Sequence, residues 1–148
     1  PMIIDHDQFL RLRQVVKQHI QDFPHGTLYH GVMIEVPSAF LDARNLFRDA
    51  DFACIGSNDL VQYLFAVDRN NSMVARDYSL DHPVLWSSLR QLLDEATAEE
   101  KPISVCGEIA SHPAHLSRLI QMGYRKVSVN PRFVGLCRKT AVRTLRTL

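Results

Sequence analysis

The chain has 148 residues, of which 46% are hydrophobic and 22% charged, and this composition is ordinary for one soluble domain with its own core. No segment approaches the roughly 18 consecutive apolar residues of a membrane span, and the three cysteines include no CxxC pair, so neither a disulfide framework nor a zinc site is indicated. We therefore expect a single cytoplasmic domain over residues 1–148. Because the chain begins Pro1-Met2, we also expect it to be a piece of a longer protein.

The net charge of +1 is unevenly distributed along the chain. No acidic residue follows Glu108, whereas the basic residues beyond it contribute +8, so residues 1–108 carry −7. Such asymmetry can indicate a nucleic-acid surface, or a basic third that packs against the acidic remainder. Since no aromatic residues alternate with the terminal arginines, as they do in single-stranded nucleic-acid binders, we favour packing and expect neither nucleic acid nor a membrane as a partner.

In chain order, short apolar segments alternate with amphipathic ones, which predicts strands alternating with helices. The predicted strands are 2–4, 29–36, 52–55, 103–106 and 126–129. The predicted helices are 6–21 with Asp5 as its cap, 38–47, 60–67, 84–100, 115–122 and a final helix from Pro131. Residues 68–83 are polar and irregular. This βα alternation is typical of a parallel sheet with crossover helices.

The chain is organised around Gly56-Ser57-Asn58-Asp59, where a buried strand stops and an amphipathic segment begins. One interpretation is that Ser57, Asn58 or Asp59 simply caps the following helix. The other is a ligand site, because polar residues at the carboxyl end of a strand lie beside free helix N–H groups. The local sequence leaves both interpretations open.

Polar side chains follow three further predicted strands, and all these strand ends meet at one edge of a parallel sheet. They are Glu35, the pair Cys106 and Glu108, and the pair Ser128 and Asn130. Glu35 and Asp59 supply the hard oxygen ligands that Mg²⁺ prefers. Taken singly, each is more often a helix cap or a salt-bridge partner. Asn58, with the N–H groups of residues 56–59, could hold phosphate oxygens, and Arg69 in the long loop could contact the same group.

The remaining candidates are a cysteine and two histidines. Cys106 follows an apolar segment and is either an inert core residue or, at the exposed end of a strand, a thiol that gives or takes a proton. His112 and His115 have loose metal-ligand spacing, but no third ligand is near them in sequence, so we interpret both as surface residues.

Four segments carry a specific resemblance: Gly31-Val-Met-Ile-Glu35-Val-Pro37, Ile55-Gly-Ser-Asn58-Asp59-Leu-Val-Gln-Tyr63, Ala66-Val-Asp68-Arg69-Asn70-Asn71 and Cys106-Gly-Glu108-Ile-Ala110. In this order they resemble the phosphoenolpyruvate-binding barrel of enzyme I of the bacterial phosphotransferase system, a barrel shared with pyruvate phosphate dikinase and phosphoenolpyruvate synthase. The Asp-Arg-Asn-Asn run and Ser128-Val-Asn130 favour the nitrogen-related branch of enzyme I. Ser57 stands where the family usually has threonine, which keeps the hydroxyl.

The resemblance implies the C-terminal half of a (β/α)8 barrel of the phosphoenolpyruvate-binding type. By this resemblance, Glu35 and Asp59 of this chain would hold Mg²⁺. The residues that would bind substrate are Ser57, Asn58, Asp59 and Arg69. Cys106 would protonate C3 of the enolate to give pyruvate as the phosphoryl group leaves for a histidine on another domain. The family also dimerises through this barrel, and a phosphocarrier protein would be the acceptor of the full-length enzyme.

About five strand ends are predicted, so the chain covers roughly half a barrel and lacks the phosphohistidine domain. We therefore expect a phosphotransferase that is active in its full-length form and inactive as this fragment. An open half-barrel exposes strand edges, which predicts pairing with another chain or a second copy. The alternative is a non-catalytic module for dimerisation or for sensing phosphoenolpyruvate.

Overall fold

The computed structural model describes residues 1–148, with four strands in one sheet. The strands are β1 (Gly31–Ile34), β2 (Phe52–Gly56), β3 (Ile103–Cys106) and β4 (Val127–Ser128). Their spatial order follows the sequence and every neighbouring pair is parallel. All four carboxyl ends therefore lie at the same edge of the sheet.

Eight α-helices accompany the strands, together with two short 3-10 helices at Ala75–Asp77 and Pro131–Phe133. The α-helices are α1 (His6–Ile20), α2 (Pro37–Leu41), α3 (Ala43–Asp49), α4 (Ser57–Leu64), α5 (Pro83–Ala98), α6 (Glu108–Ser111), α7 (Pro113–Met122) and α8 (Val134–Leu145). None of these helices has the length and hydropathy that crossing a bilayer would need.

The two faces of the sheet have different surroundings. Ile34, Ile55 and Val105 are fully buried and belong to a core of 23 residues that the helices complete. The alternate positions, such as Met33 and Cys54, remain partly exposed, because successive side chains of a strand point to opposite faces. Four parallel strands covered by helices on one face form half of a (β/α)8 barrel, with the partly exposed face toward the lumen. The predicted fold class is confirmed.

One predicted element is absent from the structure and another is divided, while the bounds of several others shift by a few residues. Residues 2–4 form no strand, although Ile3 is buried, so the sheet has four strands rather than five. The predicted helix 38–47 is broken at Asp42 into α2 and α3. Asp42 accepts a hydrogen bond from the His6 N–H at 2.8 Å. This contact joins the break between α2 and α3 to the first residue of α1.

Helix α1 begins as predicted, because the Asp5 side chain accepts a hydrogen bond from the Gln8 N–H at 2.7 Å. Its apolar stripe, however, is not covered by the rest of the chain. Phe9 is buried, whereas Leu12, Val15 and Val16 are each nearly half exposed. This helix therefore presents an apolar surface to its surroundings.

Candidate functional site

Helix α4 begins three residues earlier than predicted, directly after β2. Its N-cap is Gly56, and no side chain caps it. The interpretation of Ser57, Asn58 or Asp59 as a helix cap is therefore wrong. These residues instead occupy the first turn of α4, at the carboxyl edge of the sheet, where the first N–H groups of a helix lack partners within the helix.

Two side chains of this turn tie the end of β2 to the end of β3. The buried Ser57 hydroxyl donates to the Cys106 carbonyl oxygen at 2.6 Å, and Asn58 Oδ1 accepts from the Glu108 N–H at 2.9 Å. The second contact also sets the orientation of the Asn58 amide, so its NH₂ group remains available as a donor. The predicted convergence of these strand ends is confirmed.

Gly107 makes this approach possible. Its φ is +94° and its ψ is −171°, a combination that essentially only glycine adopts. A Cβ at this position would also collide with Ser57 Oγ and Asn58 Oδ1. The glycine between Cys106 and Glu108 thus allows the β3 turn to lie against the first turn of α4.

Gly107→Ala should lower the free energy of unfolding by about 1–3 kcal/mol, the typical cost of forcing a side chain into such a conformation, and should displace Asn58. Urea unfolding measures the loss. Gly135→Ala is the matched control, because a Cβ there meets no atom within 4 Å and alanine favours the α8 helix; this variant should be as stable as the wild type or more so. Equal stability of both variants would contradict the steric role of Gly107.

Glu35 follows β1 and is a buried carboxylate, with 3% of its surface exposed. It accepts a hydrogen bond from the Met2 N–H at 2.7 Å, and its side chain packs so closely on Gly56 that a Cβ there would collide with it. No basic side chain forms an ion pair with Glu35 or with the partly buried Asp59. A buried carboxylate without a cation is costly.

These carboxylates fit a magnesium ion by their chemistry. Both are hard oxygen donors, and a bound cation would offset their negative charge. No three His, Cys, Asp or Glu side chains are grouped to hold a metal, so the protein would offer one or two carboxylates and leave the other positions to water and substrate, as Mg²⁺ sites commonly do.

Cys106 is half-buried at the end of β3. Cys54 of β2 pairs with Ser104 of β3, and Ser104 and Cys106 share one face of β3 because side chains alternate along a strand. Cys54 and Cys106 therefore lie on the same face of the sheet. A hydrogen bond with Cys54 raises the pKa of the Cys106 thiol above its ordinary range, and burial and the negative charges of Glu35 and Asp59 raise it further. The thiol also reaches the Ile55 carbonyl oxygen at 3.3 Å. Cys106 therefore keeps its proton, as a proton donor must.

Arg69 and Tyr78 come from the loop between α4 and α5. Burial raises the pKa of Tyr78, and the negative charge of Glu108 raises it further. The nearby Arg69 guanidinium lowers this pKa in part, and Asp59 adds a smaller increase. The Tyr78 hydroxyl thus lies among groups of α4, α6 and the loop. The exposed Arg69 approaches the site only through its guanidinium near the Tyr78 hydroxyl.

The end of β4 forms a separate wall. A cavity of about 400 Å³ opens between Asn58, Gly107 and Glu108 on one side and Ser128 and Asn130 on the other. Asn130 caps the following 3-10 helix by accepting from the Arg132 N–H. Space for a ligand therefore exists beside the joined ends of β2 and β3.

The interpretation of both histidines as surface residues is wrong for His115. His112 is exposed, but His115 is buried, with its Nε2 2.9 Å from Asp81 Oδ1 and its ring 5.9 Å from Trp86. Helix α7 begins at Pro113, two residues before the predicted start. His115 therefore lies in its first turn.

Sequence reasoning missed Cys54, Gly107 and Tyr78. The alternation of β2 could have found Cys54, since Cys54 and Cys106 are two lumen-facing positions of neighbouring strands. Gly107 follows a strand end, where a special conformation is common. No sequence signal identifies Tyr78, because its position depends on the path of an irregular loop.

The fold and these residues define a class: a parallel half-barrel with two carboxylates, an amide and a protonated thiol at the carboxyl ends of its strands. The family model described as PEP-utilising enzyme, PEP-binding domain matches residues 1–146. The chain belongs to this family, as the sequence resemblance predicted.

Several curated proteins are similar in sequence. A protein named phosphoenolpyruvate-dependent phosphotransferase system from Escherichia coli is 34% identical over 91% of this chain and 19% of its own length. A phosphoenolpyruvate-protein phosphotransferase from Haemophilus influenzae is 33% identical over 100% of this chain and 28% of its length. A phosphoenolpyruvate synthase from Pyrococcus furiosus is 31% identical over 99% of this chain and 18% of its length. The chain thus spans less than a third of each of these relatives.

Among solved structures, a pyruvate kinase from Cryptosporidium parvum superposes with a TM-score of 0.75 at 8% identity, covering 99% of this chain and 31% of that one. At this identity the likeness concerns the fold alone. It agrees with a partial barrel in which strands and helices alternate.

Proposed function

We propose that this chain is the C-terminal part of a phosphoenolpyruvate-dependent protein phosphotransferase and forms most of its phosphoenolpyruvate site. The observation that carries the proposal is the convergence of Glu35, Asn58, Asp59 and Cys106 at one end of the half-barrel in a chain of the phosphoenolpyruvate-binding family. Carboxylates, an amide donor and an acid are the groups that this reaction requires.

In the proposed reaction the phosphorus–oxygen bond of phosphoenolpyruvate breaks and a phosphorus–nitrogen bond forms on a histidine outside this chain. Glu35 and Asp59 would hold Mg²⁺, which neutralises phosphoryl charge when bound. The free NH₂ group of Asn58 and the guanidinium of Arg69 bind phosphoryl oxygens. Such binding positions the group in line with its acceptor, and positioning with charge stabilisation is most of what phosphoryl transfer needs.

The electron pair of the broken bond leaves an enolate, whose C3 then requires a proton. Cys106 supplies it from the face of the sheet that opens to the lumen, and pyruvate is the product. The raised pKa of this thiol keeps the proton in place until the enolate forms. While its oxygen is bonded to phosphorus, the enol phosphate is too weakly basic at C3 to remove a proton from such a thiol, so the proton moves after the phosphoryl group has left.

The full-length protein provides the test. With phosphorus-labelled phosphoenolpyruvate and Mg²⁺, we expect label on a histidine and an equal amount of pyruvate, both lost with a chelator. Because the relatives include a synthase as well as phosphotransferases, the label must also be followed to a protein acceptor such as a phosphocarrier. Magnesium-dependent binding without transfer would instead support a sensing module, and absence of binding would overturn the proposal.

We also propose that the fragment pairs with a second copy of itself. The outer strands β1 and β4 have free edges, and Leu12, Val15 and Val16 of α1 form an exposed apolar stripe. Uncovered edges and apolar faces favour association. Sedimentation velocity at low micromolar concentration should detect a species larger than the 16.9 kDa monomer; a stable monomer would contradict pairing.

A further inference from the structure

The Tyr78 hydroxyl has no hydrogen-bond partner in the chain. Its oxygen is shielded from solvent. The Arg69 guanidinium lies close enough to lower the pKa of the phenol, yet no donor or acceptor reaches the oxygen in hydrogen-bond geometry. Leaving a buried polar group unpaired is unfavourable, so buried hydroxyls are usually satisfied. The exception calls for a partner that is supplied from outside the chain.

The ring of Tyr78 is held firmly, although it lies in a long loop. It packs against the main hydrophobic core, directly after the 3-10 helix Ala75–Asp77. The hydroxyl at the tip of an anchored ring is a preorganised donor, since little rotamer entropy is lost when it binds a ligand.

The groups around the hydroxyl identify where it points. Glu108, Arg69 and Asp59 are the charged groups close enough to act on it, and they come from the carboxyl edge of the sheet and the adjoining loop. An unpartnered donor beside an arginine is suited to an anionic oxygen, because both groups can donate to the same phosphoryl group.

We propose that Tyr78 is a further substrate-binding residue, whose hydroxyl donates a hydrogen bond to the phosphoryl oxygen that Arg69 also holds. This inference rests on the proposed function. The phenol carries its proton at neutral pH and acts as a donor. The exposed Arg69 side chain lies close to the hydroxyl, so both groups can bind the same oxygen.

The test is Tyr78→Phe in the full-length protein, with binding of phosphoenolpyruvate measured by calorimetry in the presence of Mg²⁺. Loss of a hydrogen bond to a charged oxygen should weaken this binding roughly tenfold to a hundredfold. Oxalate, which mimics the enolate of pyruvate but has no phosphoryl group, should bind the variant and the wild type equally. The matched control is Tyr29→Phe, at a residue that is 70% exposed in the loop before β1, and it should change neither affinity.

Stability separates ligand binding from a structural role. Because Tyr78→Phe removes an unpaired hydroxyl and keeps the packed ring, the free variant should be as stable as the wild type or more stable. A lower stability, or equal weakening of phosphoenolpyruvate and oxalate, would overturn the proposal. Unchanged phosphoenolpyruvate binding would overturn it while the proposed function stands; a wild type that does not bind phosphoenolpyruvate would overturn both.

Discussion

Cys106→Ala in the full-length protein is expected to lower turnover by about 10² to 10⁴, the usual contribution of a general acid. The enolate would form but would lack its proton donor. Affinity for phosphoenolpyruvate should change little, because the thiol acts after substrate has bound. Steady-state kinetics gives turnover, and calorimetry gives the dissociation constant.

The pattern of these two measurements decides the role of Cys106. Cys137→Ser is the control, because Cys137 is buried in the separate small cluster between α7 and α8 and near-isosteric replacement there leaves the carboxyl edge intact. It should keep wild-type turnover. Equal losses of turnover and affinity in Cys106→Ala would show that Cys106 serves binding and would remove it as the proton donor.

Asp59→Asn is expected to abolish the dependence of activity on Mg²⁺ together with most of the activity. The amide keeps the size of the side chain but loses the charge that attracts a cation. Charge stabilisation by a metal is worth several kcal/mol, so turnover should fall by about 10² to 10³ at saturating substrate. A titration of activity with Mg²⁺ measures the effect.

Asp94→Asn is the matched control for Asp59, since Asp94 is an exposed carboxylate of α5 that pairs only with Arg90. Its magnesium titration should match that of the wild type. If Asp59→Asn also titrates like the wild type, Asp59 is no metal ligand and Glu35 would have to act without it.

Hydrophobic periodicity was sufficient to predict the parallel α/β fold. The buried segments 52–55 and 103–106 became β2 and β3 with almost the same bounds, because an apolar run of strand length stopped by Gly and polar residues has few other interpretations. The predicted strand 2–4 was wrong, since three residues bury Ile3 without forming a ladder. Periodicity reports burial and does not report pairing.

The arrangement at the carboxyl edge was predictable only in outline. Parallel topology alone brings the ends of β2 and β3 together, and Asn58 and Cys106 follow from it. The start of α4 at Ser57 did not follow, because its first turn contacts residues distant in sequence: Ser57 donates to the Cys106 carbonyl oxygen 49 residues away, and Gly107 at φ +94° leaves room for Ser57 and Asn58. Short-range capping rules contain no information about such a contact.

By itself, the sequence determined the fold class, the shared edge of the strand ends and the family, since these depend on residue types and their spacing. Only the tertiary structure decided which polar groups lack partners. Glu35 has no basic partner, and the Tyr78 hydroxyl forms no hydrogen bond. Whether a polar group is unpaired depends on its neighbours from every element of the fold. Long-range packing sets those neighbours, and the sequence alone does not give them.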